Sequence, residues 1–236
     1  MIFYYHFLQV ILFVFYFLCY FIIMKLYYGA DKIITRPVFG LGNPSNDYGL
    51  GLYLTPSKDA AFLWASRFPD GYVMTYEIDE SKLSILKLNS NDESDILHWI
   101  ALLAKNRFDR QERIEHQAGI EWLMRKFPTD LSQYDMVIGY RADDSYFAYS
   151  SGFVKGNISI ETLAKAMKIG KLGLQYVLIS QKAFSILHYV SSEKTSGSYS
   201  YDSFRKTALD EYHDLITKEN LFENHFIRDL MRKYGI

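Results

Sequence analysis

Residues 2–23 contain no Lys, Arg, Asp or Glu and are almost entirely aliphatic and aromatic. A run of this length and polarity cannot be spread over the surface of a globular domain. It is just long enough to cross a bilayer as a helix, or it stands outside the folded unit altogether. Two readings stay open. As an anchor it precedes Lys25, Lys32 and Arg36, and the positive-inside bias keeps everything downstream in the cytoplasm, held at the inner membrane. As mis-assigned sequence ahead of a start at Met24, it leaves a cytoplasmic protein. A secretory signal fits neither flank, because no basic residue precedes the run and no small-residue cleavage site follows it. Either way the fold is built from residue 24 onward, where Lys25-Leu-Tyr-Tyr-Gly29 reads as a first strand.

Composition narrows the class. With 26 Lys+Arg against 27 Asp+Glu in 236 residues the net charge is −1, so no global field draws the chain to nucleic acid or an anionic surface. Cys19 is the single cysteine, which excludes an internal disulfide and a thiolate zinc site. The histidines at 6, 98, 116, 188, 213 and 225 are never three to five residues apart, so no metal site is expected.

Periodicity then mixes helix and strand. Thr55-Pro56 reads as the N-cap and first residue of a helix with Ala60, Ala61, Leu63, Trp64 and Ala65 on its apolar face. Strands are expected at 72–78 and 83–88, helices at 93–105 and around 114–127, and buried strands at 134–139 and 175–179. A helix at 160–167, capped by Ser159, lies between the last two. Residues 191–200, polar and rich in Ser, read as a linker, and 203–234 as two amphipathic helices. The expected organisation is a hydrophobic segment 1–23, an α+β domain 24–190, and a linker with helical extension 191–236.

Familiar motifs are absent. Gly40-Leu-Gly42 and Gly49-Leu-Gly51 suggest a dinucleotide loop, but Ser45 and Leu54 stand where the third glycine is required. The doublets read instead as backbone permissiveness in a turn and at a strand entry. No Gly-x-Ser-x-Gly elbow is present.

A distributed constellation remains: Leu26-Tyr27-Tyr28-Gly29, then Tyr48-Gly-Leu-Gly-Leu-Tyr53 with Trp64 eleven residues after Tyr53, then Gln175-Tyr-Val-Leu-Ile-Ser180. In this order the three pieces resemble the NAD-binding strands of ADP-ribosyltransferases of the diphtheria-toxin and poly(ADP-ribose) polymerase branch. The stretches Tyr134–Phe147 and Gly170–Leu178 resemble more closely a bacterial family, domain of unknown function 3990, over about residues 24–234.

The resemblance implies an ADP-ribosyltransferase-like split β-sandwich with surrounding helices and a C-terminal helical extension. It implies NAD as substrate, with Tyr28 and Gly29 at the adenine-side ribose, Tyr53 and Trp64 around the nicotinamide, and Gln175 at the start of the third strand. It also implies transfer of one ADP-ribose to a macromolecular acceptor, protein or nucleic acid, as a bacterial toxin or defence effector. A catalytically silent module that binds NAD or ADP-ribose, or serves protein interaction, is the alternative. From the residues alone, Tyr53 on an apolar strand and Trp64 on a helix face would ordinarily be core. Two positions depart from the pattern. Tyr28 replaces a histidine and can still exchange hydrogen bonds with a hydroxyl; Gln175 replaces a glutamate and brings no charge. Asp143 and Asp144, after a buried strand, are therefore the substitute acids, unless they only cap a loop. Lys168 and Lys171 form a small basic step that reads as a contact for a phosphate or a nucleic-acid target, or, more commonly, as a solvated helix end.

Overall fold

The structure is a computed structural model that describes residues 23–90, 92–142, 147–169, 173–195, 200–218 and 225–236. Residues 1–22, Asp143, Asp144, Lys171 and the side chain of Lys168 lie outside the described residues. Among the described residues, no helix is long and apolar enough to cross a membrane.

The chain is mixed α and β, with seven strands in two sheets and nine α-helices among the described residues. The first sheet orders β1 (Ile23–Ala30), β3 (Tyr72–Asp79) and β7 (His188–Lys194), all antiparallel, with β3 in the middle. Central β3 is accordingly buried along most of its length. Edge β7 carries His188, Ser191, Ser192, Glu193 and Lys194, polar residues that discourage further pairing. The register shifts between Thr75 and Tyr76, whose partners are Ser191 and Tyr189, so Val190 is the extra residue of a bulge. Residues 191–194, expected as linker, therefore belong to a sheet. Their polarity marks an exposed edge strand, which composition alone cannot separate from a loop.

The second sheet orders β2 (Leu52–Leu54), β6 (Leu174–Leu178), β5 (Met136–Tyr140) and β4 (Ile85–Leu88), antiparallel except for the β4–β5 pair. Alternation along β5 sends Met136 and Ile138 into a cluster shared with Leu26, Met74, Tyr76 and Ile78 of the first sheet. Val137 points the other way, into a larger cluster built by helices. The two sheets meet at one bridge, where Tyr27 and Thr55 exchange both backbone hydrogen bonds at 2.8 and 3.0 Å. Because Thr55 is spent there, the following helix α1 (Lys58–Ala65) is capped by Ser57, whose hydroxyl accepts from the Ala60 amide. Thr55, the expected cap, serves the sheets.

The helical layer centres on α2 (Glu93–Asn106), where eight residues including Trp99 are buried. A short α3 (Arg110–Glu115), held by a capping box from Asp109 and Glu112, precedes α4 (Gln117–Lys126). Helix α5 (Phe147–Val154) was not legible as a helix: six of its eight residues are buried, so no amphipathic period exists to read. Helix α6 (Ile160–Ile169) is capped as expected by Ser159, which accepts from the Thr162 amide, and a short α7 (Gln181–Ser185) follows β6. The two tail helices differ. Helix α8 (Tyr201–Thr217) is largely exposed. By contrast α9 (Ile227–Tyr234) sinks Ile227 and Leu230 into the main cluster, and the Trp122 indole donates to the Gly235 carbonyl at 3.0 Å. Helix α9 is thus anchored in the core by Ile227 and Leu230, while residues 232–236 stay exposed.

Candidate functional site

Strand β1 brings Tyr28 and Gly29, β2 brings Tyr53, α1 brings Trp64 and β6 brings Gln175. All five line one cleft of about 490 Å³, together with Asp47, Arg107 and Arg141. That volume lies in the ~300–1,000 Å³ range of small-molecule sites. Asp143 and Asp144, outside the described residues, directly follow Ala142, whose backbone reaches the cleft through Asp47.

Local sequence explains the assembly. A Cβ at position 29 would lie 2.3 Å from the Ala61 carbonyl oxygen, so only glycine lets α1, which carries Trp64, seat directly on the strand that carries Tyr28. Gly49 adopts φ +78. Its carbonyl accepts the Tyr53 hydroxyl at 2.6 Å, and the same hydroxyl accepts from the Tyr48 amide at 3.0 Å. The Tyr53 ring is thereby fixed against the cleft by the turn that precedes its strand. Burial pushes the phenols of Tyr53 and Tyr28 above their ordinary values, so both stay neutral at physiological pH.

Trp64 is not the bare aromatic face that the sequence suggests. The Arg67 guanidinium lies 4.4 Å from its ring centroid and that of Arg141 5.5 Å, while Tyr201 at the start of α8 meets it edge-on at 5.8 Å. Arg67 is also 4.7 Å from the Tyr201 ring, so a cation joins the cleft wall to the helical extension.

The group that sequence reading missed is Asp47, 5% exposed at the base of the cleft. Its Oδ1 accepts from Arg107 Nη1 at 2.8 Å; its Oδ2 accepts from the Ala142 amide at 2.8 Å and from Gln175 Nε2 at 2.6 Å. Burial pushes its carboxyl up, and Arg107, the Ala142 amide, Gln175 and Arg141 oppose that shift. Each of these hydrogen-bond partners donates, so the arrangement satisfies the carboxylate form. Nothing local betrays this role, because Asn43-Pro-Ser-Asn-Asp47 reads as a turn in which Asp would bond its own backbone.

The cleft thus combines aromatic rings, guanidinium charge, neutral hydroxyl partners and one buried carboxylate. Such a set suits an aromatic ligand bearing anionic groups and hydroxyls. Among the described residues no group of three or more His, Cys, Asp or Glu could hold a metal ion.

No curated protein and no solved structure matches the chain. The model of one family, described as "Protein of unknown function (DUF3990)", matches residues 24–189, a span that contains every described cleft residue and stops short of both tail helices. The chain belongs to the DUF3990 family.

Proposed function

We propose that the protein is an NAD-dependent mono-ADP-ribosyltransferase acting on a macromolecular acceptor, protein or nucleic acid. The observation that carries this reading is the convergence of Tyr28, Gly29, Tyr53, Trp64 and Gln175, singled out by resemblance across 148 positions of sequence, on one cleft. Two sheets sharing one buried cluster support the split β-sandwich that the reading requires.

In the reaction the bond between nicotinamide and ribose C1′ breaks, its electron pair passing to the ring nitrogen and cancelling the pyridinium charge. An oxocarbenium-like centre is left. The acceptor's nucleophilic atom bonds to C1′ and gives its proton to solvent. Tyr53 and Trp64 hold the departing ring, Tyr28 and Gly29 hold the adenine-side ribose, and Arg141 supplies positive charge for the diphosphate. Gln175 addresses the nicotinamide ribose, and Asp143 and Asp144, which follow Ala142 in sequence, are the candidate acids of this reading. A role as a bacterial toxin or defence effector belongs to the same proposal.

The neutral Gln175 favours a second reading, a module that binds NAD without cleaving it, since differential stabilisation of a cationic transition state normally uses charge. Incubation with NAD labelled in both halves decides between them. Release of nicotinamide with transfer of the ADP-ribose label to an acceptor supports the enzyme. Saturable binding without release selects the silent module, and neither binding nor release removes both.

A further inference from the structure

Gln175 sits on β6 opposite Gly139 of β5 and is 3% exposed. Its Nε2 donates to Asp47 Oδ2 at 2.6 Å and to the Tyr140 carbonyl at 3.4 Å. That carbonyl also receives the Tyr48 hydroxyl at 2.8 Å and the Trp99 indole at 3.1 Å, both from buried side chains, so it is held rigidly as an acceptor. A primary amide has two N–H groups, and here each has an acceptor fixed by other parts of the fold. Turning the amide over would set Oε1 against a carboxylate oxygen and a carbonyl oxygen, two acceptor contacts with no proton between them. The oxygen is therefore the atom left for the cleft that Gln175 lines. Donation to a carboxylate also polarises an amide, drawing electron density onto its oxygen, and the effect grows where water is excluded.

We infer that Asp47 is a positioning residue: it locks the Gln175 amide with Oε1 toward the ligand and strengthens that oxygen as an acceptor for a ribose hydroxyl. Two residues 128 apart in sequence then share the work of one acidic acceptor, Gln175 touching the ligand and Asp47 standing behind it. Arg107, packed over the Phe147 ring at 4.5 Å, holds the other carboxylate oxygen and keeps the charge in place. The ligand half of this inference rests on the NAD reading above; the orientation half does not.

The test has two readouts. Hydrogen exchange of the Gln175 side-chain amide, followed by NMR in the wild-type protein, should be slower by about tenfold or more than that of surface Gln111, whose own bond to Glu115 is exposed. Equal rates overturn the lock, and this measurement needs no variant to fold. In folded Asp47→Asn, Gln175 exchange should accelerate. The kcat for nicotinamide release should fall by about tenfold or more while KM changes far less, because the lost interaction acts on the transition state. Unchanged Gln175 exchange and unchanged kcat in that variant contradict the inference, as does a rise in KM alone. A wild-type protein with slow Gln175 exchange but no NAD binding would instead sink the NAD reading and the ligand half with it, leaving the lock standing.

Discussion

Asp47 and Asp135 are tied into the fold in the same way. Each carboxylate accepts from one backbone amide, one neutral side chain and one cation: Ala142, Gln175 and Arg107 for Asp47; Ser84, Ser180 and Lys182 for Asp135, at 2.9, 2.7 and 2.9 Å. Their carboxyls nevertheless shift in opposite directions. Burial raises both, but at Asp135 the Ser180 hydroxyl, the Ser84 amide and Lys182 outweigh it and bring the group down to about 2, whereas at Asp47 burial wins. The surroundings explain the contrast. The side chain of Lys182 is 57% exposed beside Asp135, while that of Arg107 is 17% exposed beside Asp47. Water surrounds one ion pair and reaches the other far less. Asp135 clasps the start of β5 to the turn after β6. Asp47 keeps an ionised group out of water at the wall of a cleft, an arrangement found more often where chemistry is done than where a fold is merely held.

Substituting each carboxylate sharpens the contrast. Asp47→Ala leaves Arg107 and two further donors without their acceptor in a largely buried place and should cost about 3–5 kcal/mol of unfolding free energy. Asp135→Ala should cost about 1–2 kcal/mol, because Lys182 can turn to water. Urea titrations compare the two, and equal costs would erase the distinction.

Acid titration probes the same pair with opposite signs. Asp135, depressed when folded, contributes stability that is present above its ordinary value of 3.8 and lost as pH falls toward about 2. Asp47, raised when folded, adds stability as pH falls below its folded value, because the native state then binds the extra proton. Asp135→Asn should flatten the acid limb of the stability profile, and Asp47→Asn should remove a contribution of the other sign. Matching changes in the two variants would show that burial does not separate the sites.

An exposed pair supplies the smallest effect. His225 is raised by its bond to Glu161 Oε1 at 2.7 Å, so its contribution is present below 6.5 and is lost as pH rises through the folded value. Because the ring is open to solvent, the loss should appear only as faster amide exchange at the start of α9 above neutral pH, absent in His225→Ala. A shift in global unfolding would mean that this contact carries more than its exposure allows.

The strands at 72–79, 136–140 and 174–178 and the helix at 93–106 were legible because their side chains follow the period of the surface they bury. What escaped did so for physical reasons. Residues 147–154 are buried on all sides and 188–194 are polar at an edge, so neither shows a period; Thr55 looks like a cap until its backbone is needed between two sheets. Within the cleft, Tyr28, Tyr53, Trp64 and Gln175 were legible only through family resemblance, since by local pattern alone Tyr53 and Trp64 read as core. Asp47 was not legible at all. Its partners at 107, 142 and 175 are brought to it by the fold, and a single sequence carries no sign of such pairing.

Calorimetric titration of NAD into the wild-type protein and into folded Tyr53→Ala tests the cleft most directly. Saturable one-to-one binding in the wild type, weakened about fivefold or more when the ring is removed, is the expected result. No saturable binding to the wild type, or equal affinity in the folded variant, would contradict it.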